Sequence, residues 1–335
     1  MPIRVGINGF GRIGRSILRA NRGLSELEFV AVNDLTNPEQ LAVTLKYDSI
    51  HGVYEGKIRV DGDNIIIDGD IIRTFAERDP EKIPWGEMGV DAVVDSTGLF
   101  KSRDVLEKHL KAGAKKVVLA VPPKGEIDAI IVLGVNHHIL TGEERIVSNA
   151  SCTTNCAAPV VKVIHEKFGI RRGFLTTVHA YTNDQRLLDY PHRDMRRARA
   201  AALSIIPTTT GAAKTVEKII PELAGRLEGM AYRVPVADGS VCDLMVELER
   251  ETEPEEVNEA MHNAALGELK GILEYCTDPI VSVDIVGNPH SSIFDAELTQ
   301  MLEGNLLKVS SWYDNEWGYS NRVLELVQKL FQMGS

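Results

Sequence analysis

Residues 7–15 read INGFGRIGR, and the fold turns on whether this glycine run joins a strand to a helix. Upstream, residues 3–7 form a short apolar run with strand character. Downstream, Ile13, Ile17 and Leu18 recur at helical spacing. Residues 29–34, FVAVND, predict a second strand ending on Asp34, 20 residues past Gly14. A G-x-G-x-x-G run alone marks no more than a tight turn. Set between a strand and a helix, with an acid at that distance, it is the dinucleotide-binding pattern. Gly9 permits the turn, Gly11 admits a pyrophosphate to the backbone, and Gly14 lets the helix pack against the strand. The helix N-terminus offers unpaired N–H groups and a positive dipole end. Asp34 suits the adenosine ribose and repels an added 2′-phosphate, which favours NAD over NADP.

Working outward, residues 92–94, 116–119 and 130–133 predict further strands, with a helix over 102–111. Residues 57–60 and 64–74 are hairpin-like, with Asp-Gly turn signals. Strand–helix alternation over residues 1–150 predicts an α/β domain with a doubly wound, mostly parallel Rossmann-type sheet. From residue 151 the strands lengthen. Cys242, Leu244, Val246 and Leu248 point one way, and Asp243, Glu247 and Glu249 the other, as in an antiparallel sheet with one buried face. Residues 306–312 repeat the pattern. Helices fit 254–266 and 317–333, the latter with Val323, Leu326, Val327 and Leu330 at helical spacing. Residues 151–316 therefore read as an α+β catalytic domain with a mostly antiparallel sheet, and the C-terminal helix, 317–335, is expected to join the first domain.

Bulk properties limit the function. At 335 residues the chain suits two domains, and 44% hydrophobic with 25% charged residues is ordinary for a soluble protein. A net charge of −11 speaks against a nucleic-acid partner. Four cysteines in so long a chain make no disulfide framework, which fits a reducing compartment. MPIRVGINGF does not read as a signal peptide, and no apolar window approaches the ~20 residues of a membrane helix. A cytoplasmic protein without a membrane partner is expected.

Residues 148–156, SNASCTTNC, raise three possibilities for Cys152: a nucleophile, half of a metal site, or a small buried residue. Cys152 and Cys156 are four apart, but no second Cys pair or close His pair stands nearby, so no metal is expected. Cys156, Cys242 and Cys276 read as buried and inert. Cys152 differs. A helical pattern follows it through Val160, Val161, Ile164 and Phe168, with Pro159 expected to kink the early turns. Ser148, Asn149 and Ser151 are cap-type residues upstream. A cysteine at a helix N-terminus is favoured as thiolate. His179, in a strand-like run over 174–181 among Thr176, Thr177 and Thr182, is a candidate base, although spacing alone does not pair it with Cys152.

End to end, the chain resembles the phosphorylating glyceraldehyde-3-phosphate dehydrogenase family. The matching stretches include INGFGRIGR, AVNDL at 31–35, LKYDSIHG at 45–52, STG at 96–98, SNASCTTNCAAP at 148–159 and TTVHAYTNDQ at 176–185. They continue with RRARAAA at 196–202, IIPTTTGAAK at 205–214, RVP at 233–235 and SWYDNEWGYSNRV at 311–323. The resemblance implies that Cys152 adds to the aldehyde of glyceraldehyde 3-phosphate. His179 would act as base, hydride would go to NAD, and inorganic phosphate would release 1,3-bisphosphoglycerate from a thioester. It places Thr182 and Arg233 on one phosphate, and Ser151, Thr153, Thr210 and the backbone of Gly211 on the other. From the residues alone, 208–210 (TTT) is a polar loop before a helix capped by Thr210. To the glycines and Asp34 the resemblance adds Asn8, Phe10, Arg12, Ile13, Arg78, Thr97 and Asn315 as cofactor contacts, with Tyr319 packed by the nicotinamide. It implies a homotetramer in which the segment bearing Arg193, Arg196, Arg197 and Arg199 lies at a subunit contact.

The chain departs from the family at Ala120-Val121-Pro122, where Ser-Ala-Pro is common, and at Tyr190-Pro191, where Leu-Pro is frequent. Pro191 and Asp34 agree with NAD rather than NADP. Rival readings are an erythrose-4-phosphate dehydrogenase of the same superfamily and a non-catalytic NAD-binding protein.

Overall fold

The computed structural model describes residues 1–332. The last residues of the helix expected over 317–335 (Met333, Gly334 and Ser335) lie outside the described residues. The chain separates into two units. One holds Met1–Ile131, His138–Ala150 and the chain from Ser320 onward; the other holds Val132–His137 and Ser151–Tyr319.

The first unit starts with β1 (Ile3–Asn8), α1 (Arg12–Ala20), β2 (Leu27–Asn33) and α2 (Pro38–Lys46). A ribbon of β3 (Tyr47–Asp48) and β4 (Gly52–Val53) leads to a meander of β5 (Ile58–Asp61), β6 (Asn64–Ile67) and β7 (Asp70–Phe75). Then come β8 (Ala92–Asp95), α3 (Arg103–Lys111), β9 (Lys116–Leu119), β10 (Ala129–Ile130) and β11 (Ile146–Ser148). Nine of these strands form one sheet in the order β10-β11-β9-β8-β1-β2-β7-β6-β5. It is parallel from β10 to β7 and antiparallel only within the meander. Its central strands are mostly apolar, as a sheet covered on both faces requires; Val5, Ile7, Val93 and Val117 are fully buried. The strand order reverses between β1 and β8. In open α/β sheets, ligands bind beyond the carboxyl ends of the strands at such a point.

Two glycines shape that point. Gly9 has φ +89, and a Cβ there would lie 2.7 Å from the Thr97 nitrogen. A Cβ on Gly14 would lie 2.4 Å from the Gly9 carbonyl oxygen, so α1 reaches β1 only without a side chain. Gly14→Ala is expected to cost about 1–3 kcal/mol of stability by overpacking. Thermal unfolding would show it as a lowered melting temperature; an unchanged one would mean the helix has room to move.

The second unit contains α4 (Cys152–Phe168), β12 (Ile170–Ala180), β13 (Ile206–Thr209), α5 (Ala212–Ile219), β14 (Leu227–Val234) and β15 (Ser240–Leu248). It continues with α6 (Pro254–Leu266), β16 (Leu273–Cys276), β17 (Ser292–Leu302) and β18 (Leu306–Tyr313). Its sheet runs β13-β14-β12-β15-β18-β17-β16. Pairing is antiparallel except at β12–β14 and β16–β17. Cys242, Leu244, Val246 and Leu248 are buried, whereas Met245 on the opposite face is exposed. Val160, Val161, Ile164 and Phe168 of α4 are also buried, and α4 packs against β15, β17 and β18. The last helix, α7 (Trp317–Gln332), buries Val323, Leu326, Val327 and Leu330. Among the described residues no helix is long and apolar enough to cross a membrane.

Some local expectations need correction. The strand expected over 130–133 is only Ala129–Ile130, because the chain turns at 133–136, where Asn136 Oδ1 accepts the Val132 N–H at 2.8 Å. Pro159 does not interrupt α4, which runs unbroken through it. The proline and its neighbours Ala158 and Val160 are buried, so packing of that face outweighs the missing hydrogen bond. Residues 206–209 form a strand rather than a loop, and Cys276 is partly exposed at the end of an edge strand.

Candidate active site

Ser151 is the N-cap of α4. Its backbone is extended, and its Oγ accepts the Thr154 N–H at 3.1 Å. Cys152 is therefore the first helical residue. Its Sγ lies 3.5 Å from Nε2 of His179, near the end of β12. Register then adds a third group: His179 on β12 is paired with Arg233 on β14. One terminal nitrogen of Arg233 is 2.7 Å from His179 Nδ1 and donates to the Ala180 carbonyl at 3.0 Å. His179 Nδ1 is itself 2.7 Å from that carbonyl.

These contacts offer the imidazole two proton arrangements. With the proton on Nδ1, directed to the Ala180 carbonyl, Nε2 is an acceptor facing the sulfur. With Nδ1 accepting from Arg233, which can only donate, the proton is on Nε2 and points at the sulfur. The first suits a base, the second a donor to a thiolate or oxyanion.

Burial weighs against a standing thiolate, contrary to the expectation from the helix end alone. It pushes the Cys152 thiol up to about 11, opposed by the Arg233 charge and by bonds from Thr153. Burial, with the Arg233 charge added, pushes the imidazole down to about 3. Charge separation between the two is thus assisted by the helix N-terminus and resisted by desolvation.

Hydroxyl groups surround the pair. Tyr313 OH lies 2.9 Å from Thr153 Oγ1 and 2.8 Å from Thr177 Oγ1, and its ring meets His179 edge-on at 5.8 Å between centroids. Ser240 Oγ accepts the Ala180 N–H at 3.1 Å and donates to Asn315 Oδ1 at 2.6 Å. Asn315 is thereby fixed in orientation, and with Tyr319 it belongs to the second unit.

Several of the residues expected around phosphate are engaged in local hydrogen bonds. Thr153 is buried and bonded to Tyr313, and Ser151 is occupied in capping α4. Thr210 Oγ1 accepts the Ala212 N–H at 3.2 Å, and Gly211 is the N-cap of α5 with no side-chain cap and open space where a Cβ would stand. Thr182 is partly exposed, its N–H bonded to Gln185 at 3.2 Å. Arg233 Nε is buried without a hydrogen-bond partner, an orphan donor suited to an anion. Arg197 folds back onto β13, bonding Thr208 Oγ1 at 2.9 Å and Asp184. Its charge adds to the depression of His179.

Asn8, Gly9, Phe10, Gly11, Arg12, Ile13, Gly14, Asp34, Arg78 and Thr97 all fall in the first unit. They lie at or beyond the carboxyl ends of β1, β2, β7 and β8. α1 begins with N-cap Gly11, has no side-chain cap, and leaves the space beside Gly11 open, which fits a pyrophosphate. Asp34 already takes part in the turn, accepting the Phe10 N–H at 2.9 Å and the Thr36 N–H at 3.1 Å. Two side chains point elsewhere than expected. Arg12 pairs with Asp48 at 3.1 Å, and Asn8 is buried between Asn33 and Asp95.

Tyr313, Ser240 and Arg197 carried no signal as site residues in sequence. A tyrosine in a strand and a serine at a strand's start are commonplace, and Arg197 is one of four arginines in a short stretch.

The chain matches known proteins along nearly its whole length. Residues 3–103 match the family model for the glyceraldehyde 3-phosphate dehydrogenase NAD binding domain, and residues 151–315 match that for the C-terminal domain. The chain is 56% identical over 335 residues to glyceraldehyde-3-phosphate dehydrogenase of Geobacillus stearothermophilus, covering all of both chains. It is 54% identical over 335 residues to glyceraldehyde-3-phosphate dehydrogenase 1 of Bacillus subtilis, again covering both entirely. The plasmid-encoded enzyme of Cupriavidus necator is 54% identical over 328 residues, 97% of each chain.

Proposed function

The chain belongs to the glyceraldehyde-3-phosphate dehydrogenase family, and we propose that Cys152 is its nucleophile and His179 its base. The reaction is oxidation of D-glyceraldehyde 3-phosphate to 1,3-bisphosphoglycerate with NAD and inorganic phosphate. The 3.5 Å contact between Cys152 Sγ and His179 Nε2 carries the assignment.

The sulfur bonds to the aldehyde carbon, and its proton passes through His179 Nε2 to the former carbonyl oxygen, giving a hemithioacetal. Bound NAD supplies a hydride acceptor. As hydride leaves carbon, His179 takes the hydroxyl proton and the carbonyl re-forms as a thioester on Cys152. A phosphate oxygen then attacks that carbon. The C–S bond breaks, and the sulfur leaves as thiolate, to be reprotonated. The oxyanion of each addition is held by the Cys152 N–H at the start of α4 and by His179 with its proton on Nε2.

Arg233 and Thr182 would bind one phosphate; Ser151, Thr153, Thr210 and the Gly211 backbone would bind the other. The orphan Nε of Arg233 and the open space beside Gly211 support this. Gly9, Phe10, Gly11, Arg12, Ile13 and Gly14 would hold the pyrophosphate through backbone, and Asp34 and Arg78 the adenosine end. Asn8 and Thr97 would act by shaping the turn, and Asn315 and Tyr319 would bind the nicotinamide.

NADH absorbance with and without phosphate tests the reading. Formation should depend on phosphate and be faster with glyceraldehyde 3-phosphate than with erythrose 4-phosphate. Faster turnover of the four-carbon aldehyde would transfer the chain to the sister activity.

A cytoplasmic homotetramer completes the proposal. Leu187, Leu188, Met195 and Leu203 are all more than two-thirds exposed within one short region, as expected of a surface covered by another copy. Light scattering should give four chain masses at micromolar concentration; a stable monomer would overturn this assembly.

A further inference from the structure

The first unit buries a titratable cluster that the reaction does not use. Asp95, at the end of β8, and His109, on α3, are both 0% exposed. His109 Nε2 is 3.1 Å from Asp95 Oδ2, and His109 Nδ1 receives the Trp85 indole N–H at 3.0 Å. An indole nitrogen only donates, so Nδ1 is the acceptor and the ring proton sits on Nε2, directed at Asp95. The same carboxylate collects three more donors. Asn8 Nδ2 reaches Oδ2 at 2.8 Å; the Thr97 N–H and hydroxyl reach Oδ1 at 3.1 and 2.7 Å. Asn8 is braced on its other side by Asn33 Nδ2 at 2.8 Å, and Ser96 Oγ donates to the Gly9 carbonyl at 2.6 Å. Asp95 is the hub that ties α3 to the glycine turn.

We propose that His109 is a positioning residue for NAD binding, acting through Asp95 on Thr97 and on the Asn8–Gly9 turn. The inference rests on the reading that this turn lines the NAD site. A buried carboxylate keeps its place by keeping its donors. Without the His109 N–H, Asp95 must rotate or draw in water, and it carries Thr97 and Asn8 with it. Gly9 leaves no slack to absorb that movement, since it packs against the Thr97 backbone.

Calorimetric titration of the full chain with NAD tests this, using His109→Leu and His109→Gln. Glutamine offers an NH2 group to donate to Asp95 and an oxygen to accept from Trp85, the two roles this imidazole fills. Leucine should weaken NAD binding roughly tenfold, the effect of one buried polar group left unpaired. Glutamine should stay within about threefold of the parent on the same scale. Alkylation of Cys152, in the other unit, should be unaffected in both. Unchanged affinity in folded His109→Leu overturns the inference, and so does equal weakening by leucine and glutamine. Should the leucine variant fail to fold, Trp85→Phe, which removes the N–H that orients the ring, carries the test. It should weaken NAD about threefold, and an unchanged affinity overturns the inference. A parent chain without NAD affinity would sink the site reading as well; silent variants of a binding parent sink this inference alone.

Discussion

Cys152→Ser is expected to lose at least about 10⁴-fold in oxidation rate while binding NAD as the parent does. Serine keeps the helix N1 position, the contact with His179 and nearly the side-chain volume. What it loses is a sulfur that can add to an aldehyde and later leave from an acyl carbon. A hydroxyl ionises far less readily than a thiol, and its product would be an oxygen ester, a poorer donor to phosphate. The cofactor residues of the first unit form their own framework around β1 and β8, so dinucleotide affinity should not follow the activity down. Stopped assays of NADH formation, with NAD calorimetry on the same preparation, separate the two. Residual turnover above about 1% would remove Cys152 from its role on this rate argument. A parent chain as inactive as the variant, yet binding NAD, would instead point to a non-catalytic NAD-binding protein.

Legibility in the sequence followed the range of each interaction. The glycine turn was readable because its parts are neighbours: strand, Gly9 to Gly14 and helix occupy one stretch, and Asp34 stands one strand away. The buried face of β15 was readable from alternation alone. Cys152 could be placed at a helix start from Ser151 and the apolar spacing that follows. Its environment was not readable. Tyr313 joins Thr153 across 160 residues, and no local pattern encodes that meeting. The pairing of His179 with Arg233 depends on the register of two parallel strands, set by packing of the whole sheet. Burial depth was equally hidden. A helix N-terminus argues for thiolate, and only the folded chain shows that desolvation opposes it. Asn8 shows the same limit within the cofactor motif, since the family resemblance implies a ligand contact whereas its side chain turns inward to Asp95.

Arg233→Leu is expected to cost roughly 10²-fold in kcat/KM, from the loss of charge-assisted bonds to phosphate, and to shift two titrations in one direction. The guanidinium is 2.7 Å from His179 Nδ1, and its Nε has no protein partner, so it is placed both to bias the imidazole and to receive an anion. A positive charge disfavours protonated imidazole and favours thiolate. In the parent it lowers both groups, against burial for Cys152 and along with burial for His179. Removing it raises both. The thiol then holds its proton to higher pH, so alkylation of Cys152 by iodoacetamide at a fixed pH below the thiol's midpoint should slow. The imidazole should protonate more readily, so the acid limb of kcat/KM moves toward neutrality. Loss of phosphate binding alone would raise the KM values for phosphate and aldehyde but leave the alkylation profile where it was. An alkylation profile that moves to lower pH, or does not move, would mean that Arg233 does not act on the Cys152–His179 pair. Arg233→Lys keeps the charge without the planar fork. It should hold the alkylation profile near the parent's while recovering only part of the phosphate affinity.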